Sequence, residues 1–117
     1  PYITEVRFFC KEPCYTGCID MLAFSDGKLT LFDWKTSKAI YEDYIIQVGA
    51  YAHALEPKPW QAYIVKIPKE GSSELSYLEL TSFDLARGYS IFEKLLEIYK
   101  FKNEFAKAKL KEVKEVI

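Results

Sequence analysis

The sequence predicts a mixed α/β fold, in which a single domain spanning residues 1–117 forms one curved mixed sheet flanked by helices. Three observations lead to this prediction. Half of the 117 residues are hydrophobic and 16% are aromatic, enough to build a packed core. Five segments rich in aromatic and β-branched residues are bounded by turn signals. Two further segments place apolar residues at helical spacing, so the predicted order is β-β-β-α-β-β-α.

The first half of the chain predicts an antiparallel meander. The opening segment, Tyr2–Cys10, has strand-type residues and ends at Lys11-Glu12-Pro13. A second strand is expected over Tyr15–Phe24 and a third over Leu29–Trp34. Between them lies Ser25-Asp26-Gly27-Lys28, whose Asp-Gly pair is the strongest short hairpin signal.

A helix is expected next, over Tyr44–Leu55, with Asp43 as its N-cap and Pro57 as its stop. The apolar run Ala62–Ile67 predicts a fourth strand with both faces covered. A turn at Gly71-Ser72-Ser73 then leads to a fifth strand, Leu75–Leu80.

The chain ends in a predicted helix of about thirty residues, capped by Ser82 or Asp84. Its apolar positions alternate in steps of four and three, which is the pattern of a heptad seam interrupted by one asparagine. The seam comprises Leu85, Tyr89, Phe92, Leu96, Tyr99, Asn103, Ala106, Leu110, Val113 and Ile117. We expect its first half to pack on the sheet of its own domain. For the second half, Lys100–Lys114, which has six lysines and two glutamates, three interpretations stay open: a solvated face, nucleic-acid contact, or association with a second helix.

Composition narrows the class of protein. The formal net charge is −1, so no overall basic excess identifies a nucleic-acid binder. No apolar run approaches the roughly 18 residues of a membrane-spanning helix, and because the sequence opens with a strand-like segment we expect no signal peptide. The chain has three cysteines, an odd and small number that does not suit a disulfide scaffold. This indicates an intracellular, reducing setting.

The three cysteines and the single histidine are residue types that often bind metals, but we predict a structural role for them. Cys10, Cys14 and Cys18 lack the two-residue gaps of zinc motifs, so we interpret them as small buried or half-buried apolar residues. His53 is the single histidine and lies on the first predicted helix, where we expect a surface or packing role.

Two carboxylates and a lysine form the one group of residues that predicts a catalytic site. Counted outward from the Asp-Gly turn, Asp20 on the second strand falls opposite Asp33 on the third. Lys35 lies two residues after Asp33 and therefore shares its face. Because facing carboxylates repel, the pair predicts a neutralising divalent cation such as Mg²⁺ or Mn²⁺.

A metal beside a lysine suits hydrolysis of a phosphodiester. The metal lowers the pKa of water and offsets charge on the phosphate, and the lysine orients water or donates to a phosphate oxygen. The backbone carbonyl of Trp34 lies between Asp33 and Lys35 and is a candidate third ligand. Gln47 and Tyr51 lie four residues apart on the first helix, so they share a face that we expect to meet the strand ends.

The pattern Gly17-x-x-Asp20, Asp33-x-Lys35-Thr36 and Gln47-x-x-x-Tyr51 resembles the PD-(D/E)XK nuclease superfamily. It is most similar to the RecB-like branch, which includes CRISPR-associated exonucleases and the mitochondrial genome maintenance exonuclease. The resemblance covers about residues 15–55 and implies a restriction-endonuclease-like core.

The resemblance implies a Mg²⁺- or Mn²⁺-dependent deoxyribonuclease, more specifically an exonuclease acting on single-stranded DNA or double-stranded ends. In this family Asp20 and Asp33 would be metal ligands and Lys35 the catalytic lysine. Gln47 and Tyr51 would support the active site and the nucleic-acid backbone.

The family also implies an N-terminal helix whose histidine or glutamate completes the metal site. We expect that helix to precede Pro1, with Glu5 on the first strand as a candidate substitute ligand. The cysteines do not match the iron–sulfur pattern of the CRISPR-associated members. An alternative is a nuclease-fold module that binds nucleic acid or protein without cutting, and a third option is an endonuclease on the same fold.

Overall fold

A computed structural model describes residues 1–68 and 74–116 and confirms the mixed α/β class. Five strands form one sheet, and a long C-terminal helix follows them. The elements are β1 Tyr2–Cys10, β2 Tyr15–Ser25, β3 Lys28–Lys35, α1 Glu42–His53, β4 Gln61–Lys66, β5 Ser76–Thr81, α2 Ser82–Lys100, a π-helical segment Phe101–Ala106 and α3 Lys107–Leu110. The predicted turn at 71–73 lies outside the described residues.

The strands follow the chain across the sheet in the order β1-β2-β3-β4-β5. Neighbours are antiparallel except β3 and β4, which are parallel because α1 carries the chain across between them. The β2–β3 hairpin turns at Asp26 and Gly27, both with positive φ, as an Asp-Gly turn requires.

The core lies between the two main helices and one face of the sheet. It contains Ile19, Leu22, Leu31, Val48, Ala52, Ala62, Ile64, Leu80 and Leu85. On the opposite face Phe32 stacks on Tyr63, and neither ring is fully buried. Trp34 and Tyr77 on that face are exposed, so the described helices cover one side of the sheet.

The starts of both helices differ from the predictions. The N-cap of α1 is Tyr41, and the expected cap, Asp43, lies in the first turn, where its charge complements the helix dipole. The N-cap of α2 is Thr81, not Ser82 or Asp84. Asp84 completes a capping box, since its carboxylate accepts from the Thr81 N–H while the Thr81 hydroxyl accepts from the Asp84 N–H.

The terminal helix runs from Ser82 to Leu110 but is not a regular α-helix throughout. The π-helical segment Phe101–Ala106 underwinds it in the middle of the predicted heptad seam. Leu85 is buried, whereas Tyr99 and Leu110 of the same seam are exposed. No described helix is long and apolar enough to span a membrane.

α2 packs mainly on α1 instead of directly on the sheet, and two glycines allow the contact. A Cβ on Gly88 would lie 2.5 Å from the Ile45 carbonyl oxygen. A Cβ on Gly49 would lie 2.5 Å from the Tyr89 amide nitrogen. Because backbone meets backbone at both points, neither clash can be relieved by a side-chain rotation.

We therefore expect Gly88→Ala to destabilise the protein. Helix propensity alone would favour alanine by about 1 kcal/mol, and the overpacking penalty must exceed this. Overpacking typically costs about 1–3 kcal/mol, so we expect a net loss of up to about 2 kcal/mol in the free energy of unfolding, measured by urea denaturation. Arg87→Ala, on the exposed neighbouring position, should change stability by less than about 0.5 kcal/mol. A stabilised Gly88→Ala variant would show that the helices do not approach so closely.

Candidate active site

The β2–β3 hairpin brings Asp20 beside Asp33, as the turn predicted. The pairing runs from Ser25↔Lys28 to Met21↔Phe32, and Asp20 and Asp33 follow directly after its last pair, close enough for the Asp20 charge to act on Asp33. The Trp34 N–H donates to Asp20 Oδ2 at 2.8 Å, which holds this carboxylate against β3. The role of the Trp34 carbonyl as a ligand stays a prediction.

The strand alternation breaks at Asp20. Ile19 and Leu22 both lie in the core although they are three residues apart, and a regular strand would point them to opposite faces. Across the ladder, between the pairs Thr4↔Met21 and Val6↔Ile19, Glu5 has a φ of 53°. A non-glycine residue in that region is strained, and such irregularities concentrate next to functional sites. This irregularity of the β1–β2 ladder, called the kink below, lies at Asp20, the candidate metal ligand.

Asp33 is the one buried polar or charged side chain among the described residues, at 3% exposure. Its Oδ2 lies 3.2 Å from Lys35 Nζ and forms an ion pair with it. Beyond that ammonium, the described part of the chain offers this buried oxygen no hydrogen-bond donor. Native proteins rarely leave a buried carboxylate oxygen in this state, so it has capacity for a further cationic or donor group.

Lys35 connects the strand end to α1. Its Nζ donates to Gln47 Oε1 at 2.7 Å and lies 4.5 Å from the centre of the Tyr44 ring. The sequence predicted that Gln47 faces the strand ends but did not single out Tyr44. Its position three residues before Gln47, on the same helix face, was the available signal.

Tyr51 lies over Gly17, which explains why a glycine occurs in that position of the motif. A Cβ on Gly17 would lie 2.8 Å from the Tyr51 ring and 2.7 Å from the Phe8 ring. Phe8 and Tyr51 contact edge to face with centroids 5.6 Å apart. Burial raises the pKa of the Tyr51 hydroxyl, and the nearby charges of Asp33 and Asp20 raise it further. The phenol therefore stays protonated and can donate a hydrogen bond.

The pKa of the Asp33 carboxyl is raised overall from 3.8 to about 6, mainly by burial, and the adjacent Asp20 carboxylate contributes to the rise. Lys35 acts in the opposite direction without cancelling the effect of burial. Two crowded carboxylates whose charge is unfavourable are the donor set that a divalent cation stabilises.

The predicted site residues divide into those that the structure brings together and one, Glu5, that it does not show as a ligand. Asp20, Asp33, Lys35 and Gln47 are joined by the contacts above, and the charges of the two aspartates act on Tyr51. Glu5 is exposed, and the described residues contain no set of three acidic, histidine or cysteine side chains placed to hold one metal ion. Among the described side chains, the candidate metal ligands at this site are therefore the carboxylates of Asp20 and Asp33.

The interpretation of the cysteines is partly wrong. Cys10 is half-buried, as expected, but Cys14 and Cys18 are exposed. Cys14 lies in the turn between β1 and β2, and Cys18 points away from the core, because Ile19 beside it points inward. His53 has a packing role, as expected, since its ring lies flat on Tyr89 with centroids 3.6 Å apart.

No family model matches the sequence, and no curated protein matches it. Among solved structures, the chain is similar to one described as "Crystal structure of SSO0001", with 16% identity and a TM-score of 0.56. The match covers 80% of this chain and 50% of the other, so this chain spans half the length of that neighbour. At this level of identity the likeness supports the fold alone.

We expect Asp33→Asn to stabilise the metal-free protein at neutral pH. The raised pKa means that the folded state favours the protonated carboxyl, so this group's contribution is complete below pH 3.8 and is lost as the pH rises through about 6. The amide keeps its neutral form throughout. The stability of the variant relative to the original should therefore grow by about 2 kcal/mol across this interval.

Urea unfolding in a chelating buffer over that pH interval measures the effect. Asp26→Asn, at the hairpin turn, is the matched control because asparagine tolerates its positive φ. Parallel stability curves for Asp33→Asn and the original protein would contradict the assigned burial of charge.

Proposed function

We propose that this chain is the core of a metal-dependent deoxyribonuclease, an exonuclease of the RecB-like PD-(D/E)XK type that hydrolyses phosphodiester bonds. One observation carries the proposal: the buried Asp33 carboxylate lies beside Asp20 and Lys35, and beyond the Lys35 ammonium its Oδ2 has no described hydrogen-bond donor. A protein that only binds nucleic acid has no need of two crowded carboxylates beside a lysine. The fold class is compatible with the proposal.

Asp20 and Asp33 fit a Mg²⁺ or Mn²⁺ site with two protein carboxylates. Mg²⁺ commonly takes one or two carboxylates and completes its shell with water and substrate phosphate. When bound, the metal would neutralise charge on the phosphate and lower the pKa of water. Asp33 Oδ2 can take that role because, beyond the Lys35 ammonium, no described donor contacts it.

Lys35 is the group that would act on the reacting phosphate or water. Its ammonium lies between Asp33 Oδ2 and Gln47 Oε1, and the Tyr44 ring lies beside it. These contacts restrict its rotamers before any substrate arrives, so little ordering cost remains. Gln47 is a positioning residue in this scheme, since it acts through Lys35.

DNA is the proposed partner, within an intracellular compartment that contains DNA, and DNA repair or recombination is the proposed setting. The net charge of −1 means that binding needs a local basic surface. Lys102, Lys107, Lys111 and Lys114 are exposed on the C-terminal segment and provide one.

We expect the protein to degrade a linear, end-labelled single-stranded DNA in Mn²⁺ and to leave a closed circle intact. Asp33→Asn and Lys35→Ala should each reduce the rate by a factor of about 10² or more, because each removes charge stabilisation in the transition state. Asp26→Asn should cut at the original rate. The rates are measured by gel electrophoresis of the labelled products.

The outcomes separate the candidate functions. Cutting of the circle would indicate an endonuclease. If the protein does not cut, calorimetric titration with Mn²⁺ is the next measurement. Mn²⁺ binding that is lost in Asp20→Asn and Asp33→Asn would support the metal site and would indicate a nuclease core that needs a further ligand from an upstream segment. Absence of both cutting and metal binding would reject the nuclease and favour the non-catalytic binding module.

We expect the exposed lysines of the C-terminal segment to determine the salt dependence of DNA binding. Replacing Lys102, Lys107, Lys111 and Lys114 by glutamine should reduce the slope of log affinity against log salt by up to about 0.7 per lysine that contacts a phosphate. Fluorescence anisotropy with labelled DNA in Ca²⁺ measures this. The control for the change in net charge is a variant in which four exposed basic residues elsewhere are replaced by glutamine: Arg7, Lys11, Lys28 and Lys38. An unchanged slope in the lysine variant would remove this segment from the interface.

A further inference from the structure

A cavity of about 400 Å³, the size of a small-molecule pocket, opens beside the candidate active site between β2, α1 and α2. Gln47 and Tyr51 line this cavity and also belong to the candidate active site. Gln47 Oε1 accepts a hydrogen bond from Lys35 Nζ at 2.7 Å. The charges of Asp33 and Asp20 act on the Tyr51 hydroxyl. A group attached to a phosphate at the candidate active site therefore lies next to the cavity.

Two aromatic rings, Tyr15 and Phe92, form part of the cavity wall and are held in place before any ligand binds. Their centroids lie 4.8 Å apart, and the Tyr15 hydroxyl donates to the Ala50 carbonyl oxygen on α1 at 2.7 Å. Ile46 and Leu95 add apolar surface to the lining. Because these rings are already ordered, a planar group that stacks on them loses little further conformational freedom in the protein.

The charge of the cavity lining disfavours a phosphate and is compatible with a nucleobase. Asp43 is the one charged side chain among the described residues that line the cavity, and it is exposed at the start of α1. A carboxylate repels a phosphate, whereas it accepts hydrogen bonds from the exocyclic amino group of a base. A nucleobase is planar and uncharged, so it suits both the aromatic wall and the single carboxylate.

We propose that this cavity binds one unpaired nucleobase of the DNA strand whose phosphate lies at Asp20 and Asp33. The inference rests on the proposed nuclease function and deepens it, because it makes a single strand the substrate. The base stacks on the Tyr15 and Phe92 wall, and the phosphate attached to its sugar stays at the candidate active site. A base within a duplex is stacked and paired, so it must first be extruded at an energetic cost.

Binding measured by fluorescence anisotropy in Ca²⁺ tests the base subsite without cleavage. The probes are a short labelled single-stranded DNA and a base-free strand, which has the same length and backbone but an abasic analogue at every position. Phe92→Ala should weaken binding of the normal strand about tenfold, because stacking on an aromatic side chain contributes to the affinity for each base. Its affinity for the base-free strand should equal that of the original protein.

The matched control is Phe83→Ala, which removes an aromatic ring that lies on the same helix, is 68% exposed and does not line the cavity. This variant should bind both strands as the original protein does. An equal loss of affinity for both strands in Phe92→Ala, or no loss for either, overturns the proposal. A protein that binds neither strand overturns it as well.

A second variant tests the cavity without removing packing. Leu95 is 49% exposed, so Leu95→Trp places a larger ring in the cavity and leaves the core unchanged. It should also weaken binding of the normal strand about tenfold and leave binding of the base-free strand unaltered. Circular dichroism checks that both variants are folded. Undiminished affinity of Leu95→Trp for the normal strand would show that no base enters the cavity.

Cleavage in Mn²⁺ separates this inference from the function on which it rests. A labelled single strand with one base-free nucleotide in its middle should be degraded normally up to that nucleotide and about tenfold more slowly there. Degradation through that nucleotide at the ordinary rate would overturn the base subsite and retain the nuclease. A protein that shows the Phe92-dependent preference in binding but does not cut would support the base subsite and count against cleavage alone.

Discussion

The buried charge of Asp33 is the constraint on which the rest of the site depends. A carboxylate at 3% exposure is costly unless other groups compensate it, and β3 places it on the face that also builds the core. Lys35 shares that face and lies 3.2 Å away, but its hydrogen bond goes to Gln47 on α1. The helix is thus tied to the strand through the lysine, and beyond that ammonium Asp33 Oδ2 has no described hydrogen-bond donor. Packing and chemistry are therefore determined by the same few atoms.

Much of this arrangement follows from local sequence signals. The Asp-Gly turn determines the hairpin register, and the register determines that Asp20 and Asp33 are neighbours. Helical spacing predicts that Gln47 and Tyr51 share a face. These predictions succeed because each depends on a short stretch of chain. The identity of the family and the reaction stay predictions, since a fold-level likeness at 16% identity does not decide them.

Other features depend on contacts between distant segments and could not be predicted in this way. The kink at Asp20 involves Glu5 on another strand, and periodicity alone gives no sign of it. The sheet face that the helices cover is decided by how α1 and α2 fit together, and their contact needs glycines from two separate helices. The π-helical segment has no simple composition signal, and it moves the predicted seam out of register.

The crossing at Gly49 and Gly88 also bears on how this sequence can diverge. Neither position can acquire a side chain unless α1 shifts, and a shift of α1 displaces Gln47 and Tyr51 together. Selection for the arrangement around Asp33 therefore extends to Gly88, which contacts none of those groups and lies on another helix. Homologues that retain the chemistry should vary freely on the exposed side of α2 and keep small residues at these two positions, so the pair is a marker for recognising distant relatives.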